Sequence, residues 1–321
     1  MSNLDAAFAR VLDGETTPEE TKAFLIESIG RMRDPGAIAA GARAMRARMI
    51  PVQAPEGAID VCGTGGDGAH TLNISTAVGF VVAGAGVPVA KHGNRAMSSK
   101  CGAADVLEAL GVKLTADVPT LERALREANI AFLFAQNHHP SMRHVAVARR
   151  EIGQRTIFNL LGPLSNPARV KSQLMGVFSP DMVTPVAEAL RELGAERAWV
   201  VHGAGGLDEL ATADGNLITL LDGSRLLERE LEFFGSHTTD NDALRGGSAV
   251  ENAAALRALL DGSSPNEAYR QSVELNAAAA LELAGAAPDF GHAMMLARES
   301  LDEGLALAAL EKLIAITSEA P

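Results

Sequence analysis

IDVCGTGGDGAHTLNISTAVGFVVAGAGVPVAKHGNRAMSSKCGAA, residues 59–104, is the stretch from which the fold can be read. A short apolar strand, Ile59–Cys62, passes into the glycine-rich turn Gly63-Thr64-Gly65-Gly66-Asp67-Gly68. Asn73-Ile74-Ser75-Thr76 then opens an apolar helix running to Ala85. A second strand, Val87–Ala90, ends in Lys91-His92-Gly93-Asn94-Arg95, and Ser98-Ser99 opens another helix. Strand, glycine turn, helix is an arrangement that cradles phosphate. Glycines let backbone N–H groups approach an anion with no Cβ in the way, and a helix start adds unpaired donors and partial positive charge. Asn73, Ser75 and Thr76 are also good N-cap types, which is their purely structural reading.

Gly63, Gly65 and Gly68 satisfy the spacing of a dinucleotide-binding turn, which wants an acid roughly 20 residues on. No Asp or Glu stands between Asp67 and Asp105, while Lys91, Arg95 and Lys100, with His70 and His92, all do. That suits a ligand with several phosphates better than NAD. No Gly-Lys-Ser/Thr closes the turn, so it is not a P-loop.

Working outward, residues 1–50 read as helices only. Leu4, Ala7, Phe8 and Val11 recur at helical spacing, and Thr17-Pro18 and Asp34-Pro35 are helix starts. From Ile59 short apolar strands alternate with helices, the pattern of a parallel α/β sheet. Further strands are expected at Ile130–Ala135, Gln173–Phe178 and Arg197–His202, with a hairpin of Asn216–Leu221 and Leu227–Phe233 around Asp222-Gly223-Ser224. Helices are expected at Ser75–Ala85, Ser99–Leu110, Thr120–Ala128 and Met182–Leu193, with Gly111 and Gly194 as C-terminal caps. Residues 137–167 break the alternation: Pro140 starts a helix carrying Met142, Val145 and Arg149 on one face, and Gly162-Pro163 and Asn166-Pro167 make a rigid loop. Alanine-rich helices follow Ser248.

The 321 residues are enough for two domains or one large one; 47% are hydrophobic and only 4% aromatic, so the core is built from Ala, Leu and Val. A net charge of −12 argues against nucleic-acid binding and against an anionic membrane surface. Cys62 and Cys101 give neither a disulfide framework nor metal spacing and suit packing in a reducing cytosol. The N-terminal residues lack the pattern of a signal peptide. The longest apolar run, Ala77–Ala90, contains Pro88 and falls short of the roughly 20 residues that cross a bilayer. The expectation is a soluble cytoplasmic protein.

Asp208-Glu209, after Gly203–Gly206, puts two carboxylates at the carboxyl end of a strand, hard oxygen ligands for a divalent cation; a solvated acidic loop reads the same way. Arg149 is either a planar fork for a carboxylate or an exposed arginine beside Arg150. His138, His139 and His144 read as turn and surface rather than as a metal cluster.

GTGGDG, NIST and KHGNRAMSS, in this order and spacing, resemble the anthranilate phosphoribosyltransferase family, and residues 137–167 extend the resemblance over nearly the whole chain. It implies an α/β fold: a mostly parallel central sheet flanked by helices, with a small discontinuous N-terminal all-helical domain. Residues 1–57 would form that domain, with a later insertion near 138–165 packing on it, and residues 58–321 the large domain that binds phosphoribosyl pyrophosphate (PRPP). The implied reaction moves the 5-phosphoribosyl group from PRPP to the amine of anthranilate, with Mg2+ as cofactor and a homodimer as the assembly. By resemblance the PRPP diphosphate falls to Gly63, Gly66, Asp67 and Thr71, then Asn73, Ile74, Ser75 and Thr76. Lys91, His92, Gly93, Asn94, Arg95, Ala96, Met97, Ser98 and Ser99 would wrap the rest. Ala103 stands where the family often offers a hydroxyl, and Leu72 where it often has Phe. Anthranilate falls to Gly63, Asn94 and Arg149, with His92 and Pro163 lining the same pocket, and the metal to Ser75, Asp208 and Glu209. A pyrimidine nucleoside phosphorylase, using phosphate as acceptor, is the second enzyme reading. A non-catalytic, nucleic-acid-binding relative would lack the carboxylates and carry basic surface.

Overall fold

The structure, a computed structural model, describes residues 3–96, 100–231 and 242–319. Three helices come first: α1 (Asn3–Asp13), α2 (Pro18–Ile29) and α3 (Pro35–Arg46). The expected starts are present. Thr17 and Glu20 form a reciprocal capping box, and Asp34 accepts from the N–H groups of Gly36 and Ala37.

The sheet then begins with β1 (Ile59–Gly63), α4 (Ile74–Gly84), β2 (Val89–Gly93), α5 (Ala103–Ala109), α6 (Val118–Glu127) and β3 (Ile130–Phe134). The irregular region holds α7 (Ala135–His138), a 3₁₀ turn at Pro140–Met142, α8 (Arg143–Ile152) and α9 (Phe158–Leu161). After it come β4 (Ser172–Gly176), α10 (Val183–Glu192), β5 (Arg197–His202) and the hairpin β6 (Leu217–Asp222) and β7 (Arg225–Glu228). Four helices end the chain: α11 (Ala249–Leu260), α12 (Glu267–Ala284), α13 (Phe290–Asp302) and α14 (Leu305–Ser318).

The seven strands lie in the order β3-β2-β1-β4-β5-β6-β7. The first five are parallel and the hairpin closes one edge antiparallel. The expected fold class is therefore found. Alternation along the strands divides the core into two layers. Val61, Leu174, Trp199 and Val201 face α4, α12 and α14. Cys62, Met175, Val177, Ala198 and Val200 face the other way, onto α3, α10 and α1. Helix α8 packs on α1 and α2. Because β1 lies between β2 and β4, the chain leaves it in one direction and returns on its other side. Such a reversal opens a crevice at the carboxyl ends of the strands.

Several boundaries differ from expectation, by up to a few residues, and three are instructive. Strand β2 begins at Val89, not Val87, and continues through Lys91, His92 and Gly93, where full pairing with β3 is available. Helix α5 begins at Ala103, not Ser99, because the Asp105 carboxylate accepts from the N–H groups of Gly102 and Ala96 and fixes the start there. The hairpin forms at Gly223, but its second strand ends at Glu228; the expected continuation to Phe233 runs into residues outside those described. Among the described residues no helix is long and apolar enough to cross a membrane.

Candidate active site

The glycine turn leaves the carboxyl end of β1 with Gly65, Gly66 and Gly68 at positive φ (65°, 75° and 81°), a conformation that costs a residue with a Cβ. Three carboxylates converge beside it. Oxygen atoms of Asp67, Asp208 and Glu209 all lie within 4.8 Å of one another. Asp208 Oδ2 accepts from Gly65 N at 2.6 Å. Burial first, and mutual repulsion with Asp67 second, push the Asp208 carboxyl up to about 6. Burial and the same neighbours hold Glu209 well above the usual carboxylate range. Glu209 Oε2 is buried without a hydrogen-bond partner. An orphaned carboxylate oxygen among three crowded acids is the donor set a hard divalent cation satisfies.

The segment that carries Asp208 and Glu209 lies across the ends of three adjacent strands, and glycines make room for it. A Cβ at Gly63, paired with Gly176 in the next strand, would meet the Asp208 carboxylate. One at Gly176 would fall on the Asp208 backbone, and one at Gly203 on the Glu209 carbonyl. Asn276, on α12, clamps the next residue from below. Its Oδ1 accepts from Leu210 N and its Nδ2 donates to Leu210 O, both at 2.9 Å. Sequence reasoning had Gly203 as the start of the turn before Asp208 but missed Gly176 and Asn276; a lone Asn in an alanine-rich helix and a glycine closing a strand were the available signals.

Ser75 lines one crevice with Asp208, Glu209 and Asn276, so the structure brings the three expected metal residues together. The first intrahelical bond of α4 is from Ala77 N to Asn73 O, which leaves the N–H groups of Ser75 and Thr76 outside the helical ladder. Asn73 does not cap with its side chain. Its Oδ1 accepts instead from Asn252 Nδ2 at 2.9 Å. Ile74 and Thr76 are buried, and neither lines that crevice. Thr71 pairs its backbone with Arg245, a link to the C-terminal part that the sequence did not suggest.

The basic stretch after β2 is arranged differently from a row of free cations. Lys91 is buried within the strand, donating to Val61 O at 2.7 Å and Ser75 Oγ at 3.2 Å. Desolvation lowers its pKa, opposed by the charge of Asp60. His92 points to the opposite layer, where Nε2 meets His139 Nε2 at 3.2 Å. Its backbone N–H donates to the buried Asp60, which also accepts from Asn166 Nδ2 at 2.7 Å. Arg95 is bound by Asp105 at 2.8 Å and Glu108 at 2.9 Å, acids that lie just past the acid-free span. Asn94 is exposed, and its Oδ1 accepts from Arg95 N. Gly93 and Ala103 approach each other beside Phe132, and Ala96 donates to Asp105. Met97, Ser98 and Ser99 lie outside the described residues. His138 and His139 correct the surface reading: both are buried, His138 Nδ1 lying 2.9 Å from Ile50 O. Only His144 is partly exposed. Arg149 stands in the last turn of α8, half-buried, its pKa lowered by desolvation.

Residues 55–307 match the glycosyl transferase family, a/b domain. An anthranilate phosphoribosyltransferase of Rhizobium meliloti (strain 1021) is 50% identical over 317 residues, 98% of this chain and 93% of that protein. The chain belongs to the anthranilate phosphoribosyltransferase family. A second member, from Erythrobacter litoralis (strain HTCC2594), is 52% identical over 97% of this chain and 94% of its own length. Among solved structures, the anthranilate phosphoribosyltransferase of Thermus thermophilus superposes with a TM-score of 0.90 at 41% identity, covering 98% of this chain and 94% of that one. The Saccharomyces cerevisiae enzyme in complex with PRPP and Mg does so at 0.88 and 27%, covering 98% and 93%. Family membership thus rests on the whole chain, and the glycine turn and the carboxylate trio lie within the matched region.

Proposed function

We propose that this chain transfers the 5-phosphoribosyl group of PRPP to the amine of anthranilate, giving N-(5-phosphoribosyl)anthranilate and pyrophosphate, a step of tryptophan biosynthesis. The observation that carries this reading is the convergence of Asp67, Asp208 and Glu209 on a glycine turn in a chain of this family.

Asp208 and Glu209, with Ser75, would hold Mg2+; the fit rests on the crowded carboxylates and the orphaned Glu209 oxygen. When bound, the ion neutralises charge on the diphosphate. The chain's own residues do the rest. Backbone N–H groups of the turn at Gly63, Gly66 and Asp67, near Thr71, and the unpaired N–H groups of Ser75 and Thr76 bind diphosphate oxygens and hold them in line for departure. Residues 91–99 with Ala103 would wrap the rest of PRPP, Lys91 and Arg95 mainly through backbone, since their charges are already engaged by protein partners. Anthranilate's amine is nucleophilic while neutral, so the site needs placement more than a strong base. Gly63, Asn94 and Arg149 orient it, the guanidinium of Arg149 taking the carboxylate. The C–N bond forms at C1 of the ribose as the C–O bond to diphosphate breaks, with inversion, and the amine sheds its proton to solvent.

Loss of anthranilate fluorescence on adding PRPP and Mg2+ tests the reading; no turnover by folded protein would sink it. Pyrophosphate release separates it from a nucleoside phosphorylase. The metal assignment is tested by Asp208→Asn with Glu209→Gln, which should abolish Mn2+ binding seen by calorimetry. The same reading divides the chain into a helical domain, 1–57 with 138–165, and a large domain, 58–321. It joins two copies through the helical domain, which light scattering at micromolar concentration tests. Two cysteines outside any disulfide suit a cytoplasmic location.

A further inference from the structure

The glycine turn must accept a polyanion beside three carboxylates of the same sign. Among the cations of the 91–100 stretch, Lys91 partly offsets Glu209 from within the core, and none of the three is a free side chain at the turn. Lys91 is buried on Val61 O and Ser75 Oγ. Arg95 is bound by Asp105 and Glu108. Lys100 lines a second crevice with His70, Gly246 and Gly247.

Another cation does reach the turn, from the other layer of the molecule. Arg155 lies in the connection between α8 and α9. Its Nη2 donates to Gly66 O, next to Asp67 in the chain. Its guanidinium stacks 4.4 Å from the ring centroid of Phe178. Phe178 is in turn tied to the turn, its N–H donating to Thr64 Oγ1 at 3.0 Å. Among the described residues Arg155 forms no ion pair, and it is exposed. A guanidinium has five N–H donors in a rigid plane, so a single carbonyl leaves most of them available. The aromatic face fixes that plane in advance, which reduces the ordering cost of a later contact.

We propose that Arg155 is a diphosphate-binding residue: braced on Phe178 and Gly66 O, it presents its remaining N–H donors to a phosphate oxygen of the donor substrate at the Gly66-Asp67 side of the turn. This rests on the reading of the chain as a PRPP-dependent transferase. Arg155 supplies, from the α8–α9 connection, positive charge that the turn itself lacks. The contact to Gly66 O holds the side chain in place when no anion is present.

The test is calorimetric binding of inorganic pyrophosphate and of PRPP, each with Mg2+, to wild type, Arg155→Ala and Arg155→Lys, with steady-state kinetics on the same proteins. A charge-assisted contact predicts that Arg155→Ala weakens both ligands by roughly 10- to 100-fold. It should raise KM for PRPP while KM for anthranilate stays fixed, and Lys should recover part of the loss. Unchanged pyrophosphate affinity in Arg155→Ala, with wild type binding normally, overturns the assignment and leaves the transferase reading standing. A fall in melting temperature with both KM values disturbed alike, restored by Arg155→Gln, also overturns it, because a structural brace to Gly66 O needs no charge. Wild type that binds neither ligand overturns both.

Discussion

Arg149 stands in the last turn of α8, where a cation is favoured by the helix C-terminus. Arg149→Ala should weaken anthranilate use by roughly 10- to 100-fold, the range of a hydrogen bond to a charged group. Varying each substrate in turn checks this; a raised KM for PRPP with anthranilate unaffected would put the residue on the donor side. His139 supplies a second outcome. Burial first, and the neighbouring His138 second, lower its pKa to about 4. Below its ordinary value near 6.5 the unfolded chain binds the proton the folded chain refuses, so stability should fall as pH drops from about 6.5 to about 4. Asp60, raised to about 6 mainly by burial, slopes the opposite way, so the informative quantity is a difference. His139→Gln should flatten the acid limb by up to about 3 kcal/mol, read from denaturant melts at pH 4.5 and 7. At this scale the glycine turn and the Asp208-Glu209 pair were legible, because backbone freedom and paired carboxylates leave a local signature. Burial of His138 and His139 was not: a His-His-Pro run looks like a turn, and only the strand opposite, carrying His92 and Asp60, makes it interior.

At the scale of elements, the glycine-cleared segment around Asp208 is held by one side chain of α12. Asn276 also donates to Ser272 O at 2.8 Å, so its polar groups are satisfied. Asn276→Ala would leave the buried Leu210 N–H and C=O unpartnered, a cost of about 1–3 kcal/mol. Mn2+ affinity should fall several-fold while pyrophosphate without metal binds as before; intact Mn2+ binding would show that the segment holds its shape unaided. The strands and helices themselves were mostly legible from apolar runs and caps. Val87-Pro88 is an exception: it looked like strand, but Pro88 cannot donate to a ladder, and pairing with β3 carries the strand on through Lys91 and His92. Apolar pattern alone could not anticipate that a lysine and a histidine would complete a fully covered strand.

At the scale of the whole molecule, the class of sheet was readable from the alternation of elements, whereas the neighbours of each strand were not. Strand order depends on which helices share a layer, information spread over Cys62, Met175, Ala198 and the N-terminal helices together. One pairing in that order bears on how the protein comes to exist in a cell. Strand β1 is made early and β2 and β3 join it promptly, but its other edge pairs with β4, from Ile59 against Ser172 to Gly63 against Gly176. Until the ribosome has delivered residues 172–176, a growing chain carries a bare, apolar strand edge at the middle of its future sheet, and such edges recruit other chains. A fragment ending at residue 171 should therefore sediment or elute as soluble aggregate, while the full chain, which also carries the helices that cover the sheet, should stay in solution; a monodisperse short fragment would show that the nascent edge is shielded by other means.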